Sequence, residues 1–149
     1  MRRMLIFVVS LTAMMSGCSK PPIDAPPEVH YGRDECAHCG MIVGDERFAS
    51  ALRVVLEGST HDLAFDDIGD MFDYEREKGA SLQVSRRYVH DYETKQWIDP
   101  SSALFIRSEE LHTPMGSGII AVSDKARAEA LREKLNGKLL TFEELKKQT

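Results

Sequence analysis

The sequence predicts an α+β domain of two similar strand-strand-helix halves, in which small antiparallel sheets carry packed helices. Three observations point there: a hairpin candidate comes first, a capped amphipathic helix follows it, and several strand-like segments then lead to a second capped helix. Strands and helices do not alternate one by one, as a parallel βαβ sheet would require.

Arg47 to Glu57 is rich in β-branched and aliphatic residues, and Gly58-Ser59 is a turn signal before the second strand, Thr60 to Phe65. Asp66 or Asp67 can cap a helix whose Ile68, Met71 and Phe72 follow the i, i+3, i+4 spacing and which ends at Gly79. Gly69 inside it costs about 1 kcal/mol relative to alanine. Shorter strand signals follow at Leu82–Val84, Arg87–Tyr92 and Ala103–Arg107, and Gly118–Val122 is another strand. Ser123 or Asp124 opens a helix carrying Ala126, Ala130, Leu131 and Leu135, with Gly137 behind it. Leu139-Leu140 adds a short strand, and Thr141-Phe-Glu-Glu144 is a capping box with Leu140 and Leu145 as its hydrophobic staple. The two halves share too little sequence to establish a repeat on that ground.

Residues 1–17 are expected to be an address rather than part of the fold. Arg2 and Arg3 precede an apolar run from Met4 to Met15, about half the roughly 20 residues of a membrane-spanning helix, and Ser16-Gly17 stands before Cys18. This is the pattern of a bacterial lipoprotein signal, with Cys18 as the acylated residue. Several acyl chains at about 0.8 kcal/mol per buried methylene give a stable anchor where one would not. The alternative, an ordinary cleavage near Cys18, would leave an unpaired thiol in an oxidising compartment.

The mature chain would keep 132 of the 149 residues, and loss of Arg2 and Arg3 takes the formal charge from −5 to −7. Four of the six prolines fall between Ser19 and Glu28, so residues 18–34 read as a lipidated tether spanning up to about 3 Å per residue. Residues 35–149 form the functional domain. Its location would be the membrane, facing the periplasm; Ser19 after Cys18 is a mild pointer to the outer rather than the inner membrane. An acidic chain with 19 basic and 24 acidic residues has no basic stripe for nucleic acid. Nucleotide, α/β-hydrolase and zinc-protease signatures are absent.

The chemistry sits in sulfur. Cys36-Ala-His-Cys39-Gly-Met41 places two thiols and a thioether within six residues, and Gly40 lets the backbone turn. Met115 lies in Thr113-Pro-Met-Gly-Ser-Gly118, poor core sequence, whereas Met71 has helical spacing and reads as core. Thiolate with thioether suits Cu(I), a soft ion of low coordination number. A structural zinc site wants four Cys or His ligands, and the chain has one CxxC and no partner pair. His38 and His112 lie within reach as further ligands; His30, His61 and His90 read as solvated or structural. A single CxxC is equally the spacing of a thiol-disulfide oxidoreductase, so Cys36 stays open between ligand and disulfide partner. Asp66-Asp67 and Glu143-Glu144 read as caps and first-turn charges rather than catalytic acids.

At these residues the sequence resembles the NosL family, the lipid-anchored accessory proteins of nitrous oxide reductase. The resemblance spans the lipoprotein start, Cys36 to Met41, Phe65-Asp-Asp at the head of a helix, Pro114-Met-Gly-Ser-Gly118 before a strand, and Gly137 with Leu139-Leu140-Thr-Phe-Glu. It implies a Cu(I)-binding metallochaperone, not an enzyme, serving assembly of the copper centres of nitrous oxide reductase with an ABC-type transporter complex. It also implies two ββαβ-like halves similar to part of the organomercurial lyase. The ligand roles it implies fall most directly on Cys39, Met41 and Met115, with Cys36, His38 and His112 as further candidates.

Overall fold

The computed structural model describes residues 25–148. The expected signal peptide, Cys18 and the first part of the expected tether lie outside the described residues.

The first half comprises strands β1 (Ser50–Leu56) and β2 (Ser59–Phe65), helix α1 (Ile68–Lys78), and strands β3 (Gln83–His90) and β4 (Trp97–Ile98). These strands form an antiparallel sheet in the order β2-β1-β3-β4. The β1-β2 turn is Glu57-Gly58, one residue earlier than the sequence suggests. Both residues have positive φ, 50° and 77°, the twist that a two-residue hairpin loop favours. The segments expected at Leu82–Val84 and Arg87–Tyr92 are one strand. Its register against β1 shifts at Arg53/Val54, so Ser85 is extra and returns its hydroxyl to the Arg53 carbonyl at 3.0 Å. That bulge breaks the two-residue alternation, which is why one strand reads as two.

The second half comprises β5 (Leu104–Arg107), β6 (Ile119–Val122), α2 (Lys125–Lys134), β7 (Lys138–Thr141) and a closing helix α3 (Phe142–Gln148). Its sheet runs β6-β5-β7. Each half is therefore strand-strand-helix-strand with its first strand in the centre, the ββαβ arrangement expected. The caps form as the residue types require. Asp67 accepts the Gly69 N–H at 2.8 Å, and Asp124 accepts the Arg127 N–H at 2.9 Å. Thr141 and Glu144 bond reciprocally at 2.8 and 3.3 Å, above a buried Leu140 and Leu145.

Alternation along β5 and β6 divides the interior. Phe105, Ile119 and Ala121 join Leu52, Phe65, Ile68 and Met71 in the larger core, which both halves share. Ile106, Ile120 and Val122 face Ala128 and Leu131 of α2 in a smaller one. Each large apolar side chain buried this way stabilises the fold by about 1.5–3 kcal/mol. The halves are further joined where Tyr92 N–H meets the Ala121 carbonyl at 2.9 Å.

Val29 and Tyr31, expected in the tether, pack against the larger core, and Tyr31 bonds the ring of buried His90 at 2.5 Å. Pro27 is buried as well, so packing starts ahead of Glu35.

Candidate metal centre

The Cys36–Met41 segment is a tight loop. Glu35 and Ile42 bridge its base, Cys36 N–H bonds the Met41 carbonyl at 2.7 Å, and Gly40 N–H bonds the Cys36 carbonyl at 2.9 Å. Gly40 takes φ 72°, a conformation costly for any residue with a Cβ. Ala37 N–H bonds Ala64 O at 2.8 Å, which lays the loop across the end of β2. There α1 begins, and it contributes Asp66 from before its cap and Asp70 from its first turn.

The result is a cluster of Cys36, Cys39, Asp66 and Asp70 whose ligand atoms all lie within 4.8 Å of one another. Cys36, Asp66 and Asp70 are buried and Cys39 is half-buried; both cysteines are free thiols. The Cys36 thiol donates to Asp70 Oδ2 and the Cys39 thiol to Asp66 Oδ1, each at 3.5 Å. Burial, reinforced by hydrogen bonds with Cys36 and Asp70, pushes the Cys39 thiol up to about 12, against a lowering by the Met41 N–H. At neutral pH Cys39 thus holds its proton against a carboxylate until a cation displaces it.

His38 stands at the cluster's edge. Its Nδ1 lies 3.2 Å from Asp70 Oδ1, within ion-pair reach though without hydrogen-bond alignment, and its Nε2 lies 3.3 Å from Glu77 Oε1. Burial lowers its basicity, but the two carboxylates outweigh it and raise the ring above the ordinary histidine value.

The two candidate methionines are exposed, Met41 by 52% on the cysteine loop and Met115 by 43% on the loop before β6. The second loop is held to the head of α1 by Asp67. One carboxylate oxygen accepts Met115 N–H at 3.1 Å and the Thr113 hydroxyl at 2.6 Å. The other accepts Gly69 N–H and the Ser117 hydroxyl. A Cβ on Gly69 would lie 2.5 Å from Ser117 Cβ, so the glycine that weakens α1 is what lets the loop approach. His112 lies exposed in this loop. His30 sits with Glu28 and Asp34, His61 is exposed, and His90 is stacked on Trp97 at 3.6 Å, in keeping with solvated or structural roles. Met71 is fully buried in the core.

Sequence reasoning missed Asp66 and Asp70. Asp66 is not a cap: Asp67 caps α1, and Asp66 faces Cys39 instead. A signal was present, since two acids four residues apart flanking a third that caps the helix are more than capping needs.

The family model described as NosL matches residues 29–149. The chain belongs to the NosL family. It is 25% identical over 151 residues to the copper-binding lipoprotein NosL of Stutzerimonas stutzeri, covering 94% of this chain and 78% of that one. The crystal structure of the copper chaperone NosL from Shewanella denitrificans superposes with a TM-score of 0.68 at 25% identity, covering 83% of this chain and 96% of the other. The cysteine loop, the acids of α1 and the Met115 loop all lie inside the span that matches NosL. No helix among the described residues is long and apolar enough to cross a membrane.

Proposed function

We propose that this chain is a lipid-anchored Cu(I) carrier, held to the membrane through Cys18 and facing the periplasm. It would supply copper for assembly of the copper centres of nitrous oxide reductase, alongside an ABC-type maturation complex. The observation that carries this reading is the convergence of two thiols and two carboxylates within 4.8 Å, beneath a loop that also exposes Met41. Copper here is cargo. Thiolates of Cys36 and Cys39 with thioethers of Met41 and Met115 are soft donors suited to Cu(I), and His38 and His112 are imidazoles within the same two loops. The carboxylates of Asp66 and Asp70 accept hydrogen bonds from the two thiols before loading, and Cu(I) would displace those protons to solvent, the thiolates formed balancing its charge. A half-exposed site on loops permits handover by stepwise ligand exchange, which a closed four-ligand site would resist. The relatives named as copper-binding lipoprotein and copper chaperone support the reading.

The rival reading, a thiol-disulfide oxidoreductase, needs an attacking thiolate near neutral pH. Here both thiols donate to buried carboxylates, Cys36 to Asp70 and Cys39 to Asp66, burial raises the Cys39 thiol, and the relatives are named for copper rather than for thiol exchange.

Anaerobic competition against a Cu(I) chelator tests the proposal. The wild-type chain should bind one Cu(I), Cys39→Ser should remove it, and Met41→Leu and Met115→Leu should each weaken it. Unchanged competition in all three variants would overturn the reading. Delivery is tested separately, by whether nitrous oxide reductase from denitrifying cells without this chain is short of copper.

A further inference from the structure

Asp66 and Asp67 follow β2 directly, Asp67 in extended backbone with φ −141° and ψ 140°, and their carboxylates go to different partners. Asp66 reaches Cys39; Asp67 reaches a loop 48 residues further along the chain at Met115. We propose that Asp67 is a positioning residue for metal capture: it clamps the Thr113–Ser117 loop to the head of α1 so that the Met115 thioether is presented to the Cys39 side of the centre. This rests on the Cu(I) reading above.

An N-cap needs one acceptor for one helical N–H. Asp67 accepts four donors, and three of them, Met115 N–H, Thr113 Oγ1–H and Ser117 Oγ–H, belong to the loop. The carboxylate is wholly buried, a position tolerable only because its lone pairs are so fully occupied. The bond to Met115 fixes the backbone of the residue, while its side chain remains 43% exposed and contributes little to the core. A long unbranched thioether has three rotatable bonds, so its effective concentration at the cysteines depends on where the backbone holds it. Gly69 makes the same point independently, since the close approach of Ser117 excludes any side chain there.

The test is a double-mutant cycle in Cu(I) affinity, read anaerobically by chelator competition with sulfur-edge absorption on the loaded protein. Asp67→Asn preserves size, but whichever way the amide turns, either Gly69 N–H or Met115 N–H loses its acceptor. Gly69→Ala keeps the Asp67 carboxylate chemically intact and crowds the loop instead, its Cβ falling 2.5 Å from Ser117 Cβ and 3.3 Å from Asp67 Oδ1. Each should lower affinity about 10- to 100-fold, the range for residues that orient a ligand. The thioether signal should fall while the thiolate signal stays. Added to Met115→Leu, neither should lower affinity further, whereas a general loosening of the fold would multiply the losses.

Unchanged affinity in the folded variants, or multiplying losses, would overturn the positioning role. If Asp67→Asn fails to fold, Gly69→Ala decides alone. Absence of Cu(I) binding in the wild-type chain would remove the copper reading and this role with it; wild-type binding with multiplying losses removes this role only.

Discussion

On either side of its cap, α1 carries Asp66 before Asp67 and Asp70 at the third helical position; α2 carries Ser123 before Asp124 and Arg127 at the third. The frames match, strand-strand-helix-strand with the first strand central, yet the two helix heads are filled in opposite senses. At the head of α2 the buried Asp91 carboxylate, reaching over from the end of β3 in the first half, takes the Arg127 guanidinium at 3.1 Å on both oxygens, the Ser123 hydroxyl at 2.7 Å, and backbone N–H groups of Glu93, Thr94 and Ser123. That head carries its own cation and is electrostatically closed. In the first half the third position adds a carboxylate where α2 has a guanidinium, and two thiols stand where a permanent anion would. Charge balance there comes from mobile partners: thiol protons, His38 and, in the proposed function, a soft cation. One fold element is thus a structural ion pair in one copy and, in the other, a cluster of thiols and carboxylates that could hold a metal.

The sharpest division between the halves is expected from Cys39→Ser. It should remove tight Cu(I) binding outright while leaving urea unfolding nearly unchanged, because Cys39 is half-buried and serine keeps its size. A large loss of stability would place Cys39 in the structural class and erase the contrast.

How much of this was legible follows the same division. The Thr141 cap, the caps at Asp67 and Asp124 to within one residue, and the central strands were readable because local chemistry decides them. The bulge at Ser85 was not, since only pairing with Arg53 reveals the extra residue. Cys36, Cys39, Met41 and Met115 could be singled out because a CxxC followed by Gly-Met, and a methionine in a Pro/Gly loop, are conspicuous sequence features. Asp66 and Asp70 offered only their spacing around Asp67, because an acid at a helix head has an ordinary explanation and only the folded loop shows which acid meets a thiol. Nor could the Asp67 clamp be read, as its partners lie about fifty residues away.

Transplanting the second half's solution into the first should follow in size. Asp70→Arg places a guanidinium beside Cys36 and Asp66 and supplies the cation internally. Cu(I) affinity is expected to fall about 100-fold, the upper range for groups that support a metal site, with thermal stability unchanged or raised. Retained affinity would mean that the carboxylates take no part in the centre.

The converse change belongs to the other column. Asp91→Ala removes a buried carboxylate that gathers the Arg127 guanidinium, Ser123 and three backbone N–H groups, and should lower stability in urea unfolding, with Cu(I) affinity intact in the folded fraction. A matching loss of copper affinity would show that the two heads are coupled through the shared core rather than separate.

The smallest effect separates the halves by pH. Burial opposes ionisation of Asp91, but Arg127, Ser123 and the backbone N–H groups outweigh it and hold the carboxyl well below the usual carboxylate range. Its stabilisation is therefore present above about pH 4, where the unfolded chain ionises, and is lost as pH falls from there towards the folded value. Cys39 runs the other way. Below its ordinary value of about 9 both states hold the proton; above it the unfolded chain releases the proton while the folded thiol, at about 12, does not. Stability from the first half should thus decline as pH rises from about 9 towards 12. Each group contributes a slope of at most about 1.4 kcal/mol per pH unit. Urea unfolding across pH, in reducing buffer with a chelator, should show Asp91→Asn flattening only the acid limb and Cys39→Ser only the alkaline one. If either variant flattens both limbs, the two helix heads do not titrate as independent sites, and the electrostatic contrast between them fails.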